Sequence, residues 1–205
     1  MVKIVTLEGS DYSGKTSTLI HLANNYSRDS DNFAFNEGYI YPTALTARML
    51  AIRNQSNNVD ANFINTALFI QDANEFKSNH PDDQRVVFQD RYWPSTIAYG
   101  NFLNKDKSIH NHQDYRPLFL PLSATIVLSC SYEEKLKRSK GRERMSILDK
   151  TLLEGPSELV RLEEEIEISI EGQSNIYRID TTHKQIDEVA HEIMSYVKEI
   201  GLLDC

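Results

Sequence analysis

Gly9-Ser10-Asp11-Tyr12-Ser13-Gly14-Lys15-Thr16-Ser17 decides how this chain is read. The stretch has the pattern G-x-x-x-x-G-K-T. Immediately before it, Val2-Lys3-Ile4-Val5-Thr6-Leu7 is a short apolar, β-branched run that predicts a buried strand. Immediately after it, the apolar positions of Thr18-Leu19-Ile20-His21-Leu22-Ala23 recur at helical spacing. Strand, glycine-rich loop and helix together make a phosphate site. The loop N–H groups would wrap a β-phosphate, and the helix N-terminus would add its partial positive charge. Lys15 would reach the β- and γ-phosphates, and the Thr16 hydroxyl would ligate Mg²⁺. Gly9 and Gly14 permit backbone angles and close approaches that a side chain obstructs.

Composition fits one domain spanning 1–205. The 205 residues are long enough to bury a proper core. Hydrophobic content of 40% and charged content of 25% are near globular norms, so no disordered or fibrous class is indicated. A net charge of −8 without a basic stripe argues against general nucleic-acid binding. The two cysteines, Cys130 and Cys205, are too few for a disulfide framework and read as reduced thiols of a cytoplasmic protein. The N-terminal apolar stretch is short and interrupted by Lys3 and Glu8, so it does not read as a secretory signal. No apolar run is long enough for a membrane span.

Along the chain, strand and helix patterns alternate. Strands are expected at 2–7, 33–37, 85–90, 124–128 and 175–180. Helices are expected at 14–27, from Pro42 to Arg53 with Pro42 in the first turn, at 60–78, 94–103 and 132–139, and over 146–172 with a break at Gly155-Pro156. The spacing of Ile186, Val189, Ile193, Val197 and Ile200 predicts a terminal helix. Such alternation builds βαβ units. The expected fold is α/β: a three-layer sandwich with a five-stranded parallel sheet and helices on both faces. Ligands in these folds bind at the carboxyl ends of the strands, where the glycine loop, Glu37, Asp90 and Asp180 all fall.

Two further stretches carry chemistry. Asp90-Arg91-Tyr92 follows the third strand. An acid there can hold the Mg²⁺ shell, and the adjacent arginine can grip a phosphate with two parallel hydrogen bonds. A cap for the next helix is the structural alternative. Lys135, Lys137, Arg138, Lys140, Arg142 and Arg144 form a basic island in an acidic chain. As a mobile lid over about 136–148 it could close on ATP phosphates; otherwise it is a solvated helix face. His110 and His112, in one polar loop, lack the further ligands of a metal site. Glu163-Glu164-Glu165 reads as a solvated face with Leu162 and Ile166 turned inward, and Trp93 as a packing residue.

The chain resembles the thymidylate kinases, within the P-loop nucleoside-monophosphate kinases. Leu7-Glu8-Gly9-Ser10-Asp11-Tyr12-Ser13-Gly14-Lys15-Thr16 is similar to that family's E-G-x-D-x-x-G-K-[ST] loop. Asp90-Arg91-Tyr92-Trp93-Pro94-Ser95-Thr96-Ile97-Ala98-Tyr99 is similar to its D-R-Y-x-x-S-x-x-A-Y signature. The resemblance implies that Gly9 to Ser17 and Arg138 bind ATP, with Thr16 and Asp90 on Mg²⁺. It implies Lys15, Arg91, Arg142 and Arg144 as the catalytic cations. Asp11 would meet the acceptor sugar, Arg91 the acceptor phosphate, Ser95 and Tyr99 the nucleoside, and Phe69 the base. Glu37 stands in the acceptor motif after strand two. Dimerisation is common in the family, through a face such as the helix at 60–78 or at 94–103.

The chain also departs from the family pattern. Asn36-Glu37-Gly38 stands where R-E-P is usual, and Phe69-Ile70-Gln71-Asp72-Ala73 where F-x-x-x-R is usual. Gly100 replaces a common Gln, and Ser129 replaces a strand-four acid. The expected reaction is transfer of the γ-phosphoryl of ATP to a (deoxy)nucleoside monophosphate, dTMP first. The alternatives are a deoxynucleoside kinase with Glu37 as general base and Gln71 on a base edge, an ATP-binding protein without turnover, and an NTP hydrolase switch.

Overall fold

The computed structural model describes residues 1–26, 32–56, 58–103, 112–141 and 147–203. Arg142, Arg144, Cys205 and His110 lie outside these residues, as does the stretch 142–146 of the expected lid. Five strands form one sheet in the order β2-β3-β1-β4-β5, all parallel. They are β1 (Lys3–Glu8), β2 (Phe33–Asn36), β3 (Val86–Asp90), β4 (Leu122–Ser129) and β5 (Ile176–Asp180). The described helices are α1 (Lys15–Tyr26), α2 (Ala44–Arg53), α3 (Asn58–Asn79), α4 (Trp93–Leu103), α5 (Tyr132–Ser139), α6 (Ile147–Leu153), α7 (Pro156–Ile170) and α8 (Ile186–Glu199). β1 lies in the middle, paired with β3 and β4, so the loop that follows it opens at the centre of the sheet's carboxyl edge.

Alternation along the strands feeds two cores. Val5, Leu7, Phe88, Ile126 and Leu128 face α1 and α8, where Leu19, Leu22, Ile193 and Val197 complete a buried cluster. Ile4 and Val87 face the other way, against Phe69 of α3 and Trp93 and Ile97 of α4. Each of these side chains contributes roughly 1.5–3 kcal/mol by leaving water. A third cluster joins Ala98 and Phe102 of α4 to Leu152 of α6 and Leu162 and Ile166 of α7. Both faces of the sheet are thus covered, which is why its strands read as continuous apolar runs.

Three expectations need correction. Pro42 does not open α2: Thr43 is the N-cap, its side chain accepting from the Thr46 N–H, so the proline sits just outside the helix. The α4 segment offers no free face for a second copy, because Trp93, Pro94, Ser95, Thr96, Ile97, Ala98, Gly100 and Phe102 are all buried within the chain. A 3₁₀ turn at His112–Leu118 partly occupies the stretch read as polar loop. The predicted break at Gly155-Pro156 is present, with Gly155 as N-cap of α7 and Pro156 in its first turn. Among the described residues no helix is long and apolar enough to cross a membrane.

Candidate active site

The loop after β1 holds its shape through backbone angles that few residues tolerate. Gly9 has φ +135°, and a Cβ there would stand 2.1 Å from the Leu128 carbonyl oxygen of β4. Gly9 is therefore required by its contact with the neighbouring strand as much as by any ligand. Gly14 has φ +96°, and Tyr12 adopts a left-handed φ of 65°. Lys15 opens α1 and is buried. Its Nζ donates to the Ser10 carbonyl at 2.7 Å and to Ser13 Oγ at 3.3 Å, closing the loop on itself. Burial, helped by the charge of Arg91, lowers the Lys15 ammonium to about 7, although Asp11, Asp90 and Glu8 pull the other way. An incoming polyphosphate would restore the missing counter-charge.

Glu8, the last residue of β1, fixes the loop to the segment after β3. Its carboxylate accepts from Thr6 Oγ1 at 2.7 Å, from the Tyr92 N–H at 3.0 Å and from Ser95 Oγ. Burial raises its pKa, against the lowering effect of these donors and of Arg91. Next to it Arg91 takes a left-handed φ of 61°, a strained angle for a side-chain-bearing residue, and the turn sends its guanidinium back over the loop. There it pairs with Asp11 at 2.9 Å, donates to Ser95 Oγ at 3.2 Å and lies 5.0 Å from the centre of the Tyr99 ring. The Tyr99 hydroxyl donates to the second oxygen of Asp11 at 2.8 Å. Burial works against the charge of Arg91, but Tyr99, Asp11, Glu8 and Asp90 outweigh it and raise its pKa. Asp11, Arg91, Ser95 and Tyr99, separately expected from the sequence, are thereby brought together.

Thr16 and Asp90 also meet: the Thr16 hydroxyl donates to Asp90 Oδ2. Asp90 Oδ1 is buried and has no hydrogen-bond partner among the described residues. A hydroxyl and an unsatisfied carboxylate oxygen at a phosphate loop are hard oxygen donors of the kind Mg²⁺ takes, so these residues fit the ion. Ser17 is exposed beside Thr16 in the first turn of α1.

From this junction a cavity of about 890 Å³ runs toward α2 and α3. Asp11, Arg91, Ser95 and Tyr99 line its near end, and Glu37, Tyr39, Arg53, Asn65 and Phe69 its remaining walls. Phe69 is almost buried: Tyr39 lies over it with ring centres 4.8 Å apart, and Tyr92 meets it edge-on. Tyr39 therefore shares the wall expected of Phe69 alone. The departures from the family pattern have local explanations. Asn36 donates to Gln89 Oε1 at 2.6 Å, and Gln89 in turn donates to the Gly38 carbonyl at 2.6 Å. Ala73 is fully buried in the core and does not line the cavity. Gln71 is engaged with Thr46 at 3.2 Å rather than facing a base.

The basic island is not all lid. Arg138 belongs to α5, where its guanidinium donates to the Tyr12 carbonyl at 3.1 Å, to the Thr181 hydroxyl and carbonyl at 3.1 and 2.8 Å, and to Glu134 at 3.0 Å. It braces the phosphate loop from beneath instead of swinging over it. Lys135 is wholly buried and donates to Glu163 of α7. The same Glu163 oxygen accepts from Ser10 Oγ at 2.8 Å. Glu163 is thus a tie between α7, α5 and the loop, not part of a solvated face. Glu165 is buried too and accepts from Asn101 at 3.0 Å. Leu162 and Ile166 do turn inward. Sequence reasoning missed Glu163 because an acid in a Glu-rich run resembles surface. Glu8 left a signal: an acid ending an otherwise buried strand.

The doubly covered parallel sheet and the loop at its carboxyl edge place the chain among the P-loop proteins that handle nucleoside phosphates. The family model described as thymidylate kinase matches residues 7–193, so the chain belongs to the thymidylate kinase family and is an ATP-dependent nucleotide kinase. Solved structures agree on the fold. The thymidylate kinase from Ehrlichia chaffeensis superposes with a TM-score of 0.64 at 16% identity, covering 96% of this chain and 98% of that one. The thymidylate kinase from Candida albicans, whose structure is described as revealing the origin of broad substrate specificity, gives 0.61 at 18% identity, covering 98% and 92%. No curated relative matches the chain by sequence.

Proposed function

We propose that this chain transfers the γ-phosphoryl group of ATP to a deoxynucleoside monophosphate, dTMP first, giving the diphosphate. One observation carries the reading: Arg91 stands at the junction of the loop and the cavity, held by Asp11, Ser95 and Tyr99. A guanidinium fixed there can hold an acceptor phosphate in line with a donor phosphate cradled by Gly9 to Thr16.

Lys15 supplies charge to the β- and γ-phosphates as the transferred group leaves. Thr16 and Asp90 would hold Mg²⁺, which neutralises charge across those same phosphates when bound. Asp11 and Tyr99 orient Arg91 and border the acceptor sugar. Arg142 and Arg144 remain the proposed lid cations, and Arg138 acts on the loop that carries the phosphates. A monophosphate acceptor is already anionic and needs no strong general base. Two free-standing parts of the reading are a cytoplasmic location, in keeping with the free thiol of Cys130, and a homodimer through α3, since α4 is enclosed.

A second reading, a deoxynucleoside kinase, is favoured by Glu37, an exposed carboxylate on the cavity wall that could accept a 5′-hydroxyl proton. Rates of ADP release with dTMP and with thymidine, for the wild type and Glu37→Gln, separate the two. Our reading expects dTMP turnover that survives the substitution. Thymidine turnover abolished by it would replace our reading with the second.

A further inference from the structure

Ser10, inside the phosphate loop, is held from two sides. Its carbonyl accepts from Lys15 Nζ at 2.7 Å, and its hydroxyl donates to Glu163 Oε1 at 2.8 Å. The residue is wholly buried, and among the described residues its hydroxyl has no other acceptor. The same Glu163 oxygen accepts from the buried ammonium of Lys135, so its place on α7 is fixed by α5.

Packing contributes little to this join. Ser10 and Glu163 border a second cavity of about 530 Å³ between β4 and α7, lined also by Gly9, Val127, Leu128 and Ile166. Space remains there between loop and helix, and the hydroxyl–carboxylate bond makes the connection. ATP shifts the balance at Ser10. In the empty loop the Lys15 ammonium gives N–H groups to the Ser10 carbonyl and to Ser13 Oγ. Incoming phosphates compete for those donors and loosen the hold on Ser10 from that side. The Glu163 bond lies on the other side and does not draw on Lys15. A lone carboxylate this near a polyphosphate would repel it, but the Lys135 charge cancels that of Glu163.

We infer that Glu163 is a positioning residue: through the Ser10 hydroxyl it keeps the phosphate loop in the shape that receives ATP, with Lys135 cancelling its charge. It touches no reacting atom. The loop N–H groups must converge on one phosphate, and a misplacement of about 1 Å at such a site costs on the order of 10²-fold in rate. The inference concerns the ATP side of the reaction and holds whichever acceptor the large cavity takes.

The test is equilibrium binding of Mg-ATP by titration calorimetry, with initial rates on dTMP as a second readout and thermal melts to check the fold. Ser10→Ala spares the Lys135–Glu163 pair. It should raise the Kd and KM for ATP roughly 5- to 10-fold, leaving the KM for dTMP and the melting temperature near wild type. Two double variants separate positioning from support. Lys135→Met with Glu163→Leu and Lys135→Met with Glu163→Gln both lack the buried ammonium, and only the second keeps an oxygen that can accept from Ser10. The leucine variant should bind ATP as weakly as Ser10→Ala, and the glutamine variant should recover most of the loss. Adding Ser10→Ala to the leucine variant should weaken binding no further. Wild-type ATP affinity in Ser10→Ala, or equal affinity in the two double variants, overturns the inference. Where a double variant does not fold, Ser10→Ala decides. Silence on dTMP with these binding differences intact supports the inference and counts against the proposed acceptor alone.

Discussion

Arg91 and Asp11 lie 80 residues apart and meet at 2.9 Å at the mouth of the phosphate loop. Their pairing joins the carboxyl end of β3 to the loop after β1, the two neighbouring strands at the centre of the sheet. The strained backbone of Arg91 makes the meeting possible, and Glu8 beneath it makes the strain tolerable by binding the next N–H and the Ser95 hydroxyl.

Removing the guanidinium while keeping the bulk, as in Arg91→Met, should lower acceptor-dependent kcat/KM by about 10²–10³-fold, the scale seen when one charge-stabilising donor is lost. ATP affinity should change little. Equilibrium ATP binding and initial rates measured on the same preparation check both halves.

Lys15 has a folded-state pKa near 7, below its ordinary 10.5, because burial disfavours its charge. Between those values the unfolded chain holds a proton that the folded chain lacks, so this group's contribution to stability rises with pH across that window. Polyphosphate binding reverses the preference. Binding of Mg-ATP at pH 8 should draw a proton from solution, and titration calorimetry in buffers of different ionisation enthalpy should detect it. Lys15→Met should abolish the uptake, and its absence in the wild type would show that Lys15 is charged before ATP arrives.

Glu8→Gln tests the anchor. The amide replaces one acceptor oxygen with a donor, so either the Thr6 and Tyr92 bonds to Oε1 are disturbed or the Ser95 hydroxyl must reverse to accept, giving up its own charge-assisted donation in a buried place. A stability loss of about 1–3 kcal/mol is expected, read from urea unfolding midpoints.

The Lys135–Glu163 pair should behave asymmetrically. Glu163→Leu strands a wholly buried ammonium and should destabilise the chain by about 3 kcal/mol, the lower end for such pairs because Glu163 is partly exposed. Adding Lys135→Met should recover most of the loss. A double-mutant cycle on melting free energies measures the coupling.

Much of this architecture was legible beforehand, for reasons that particular residues make plain. The Gly9–Lys15 spacing, the β-branched run before it and the break at Gly155-Pro156 are local signals, and local signals survive in sequence. Asp90 and Arg91 were legible at the end of a predicted strand, and Ser95 and Tyr99 through the resemblance of the D-R-Y-x-x-S-x-x-A-Y stretch that follows it. The ties that cross the fold were not. Glu163 reaches Ser10 across 153 residues, and nothing in a run of three glutamates marks the one that turns inward. Arg138 looked like a lid because a cationic run predicts charge, not direction.

The most direct measurement is product identity. Purified protein with Mg-ATP and dTMP, followed by phosphorus NMR, should show dTDP and ADP appearing in equal amounts as ATP and dTMP disappear. Inorganic phosphate in place of dTDP, or ADP formed only when a nucleoside replaces dTMP, would contradict the account.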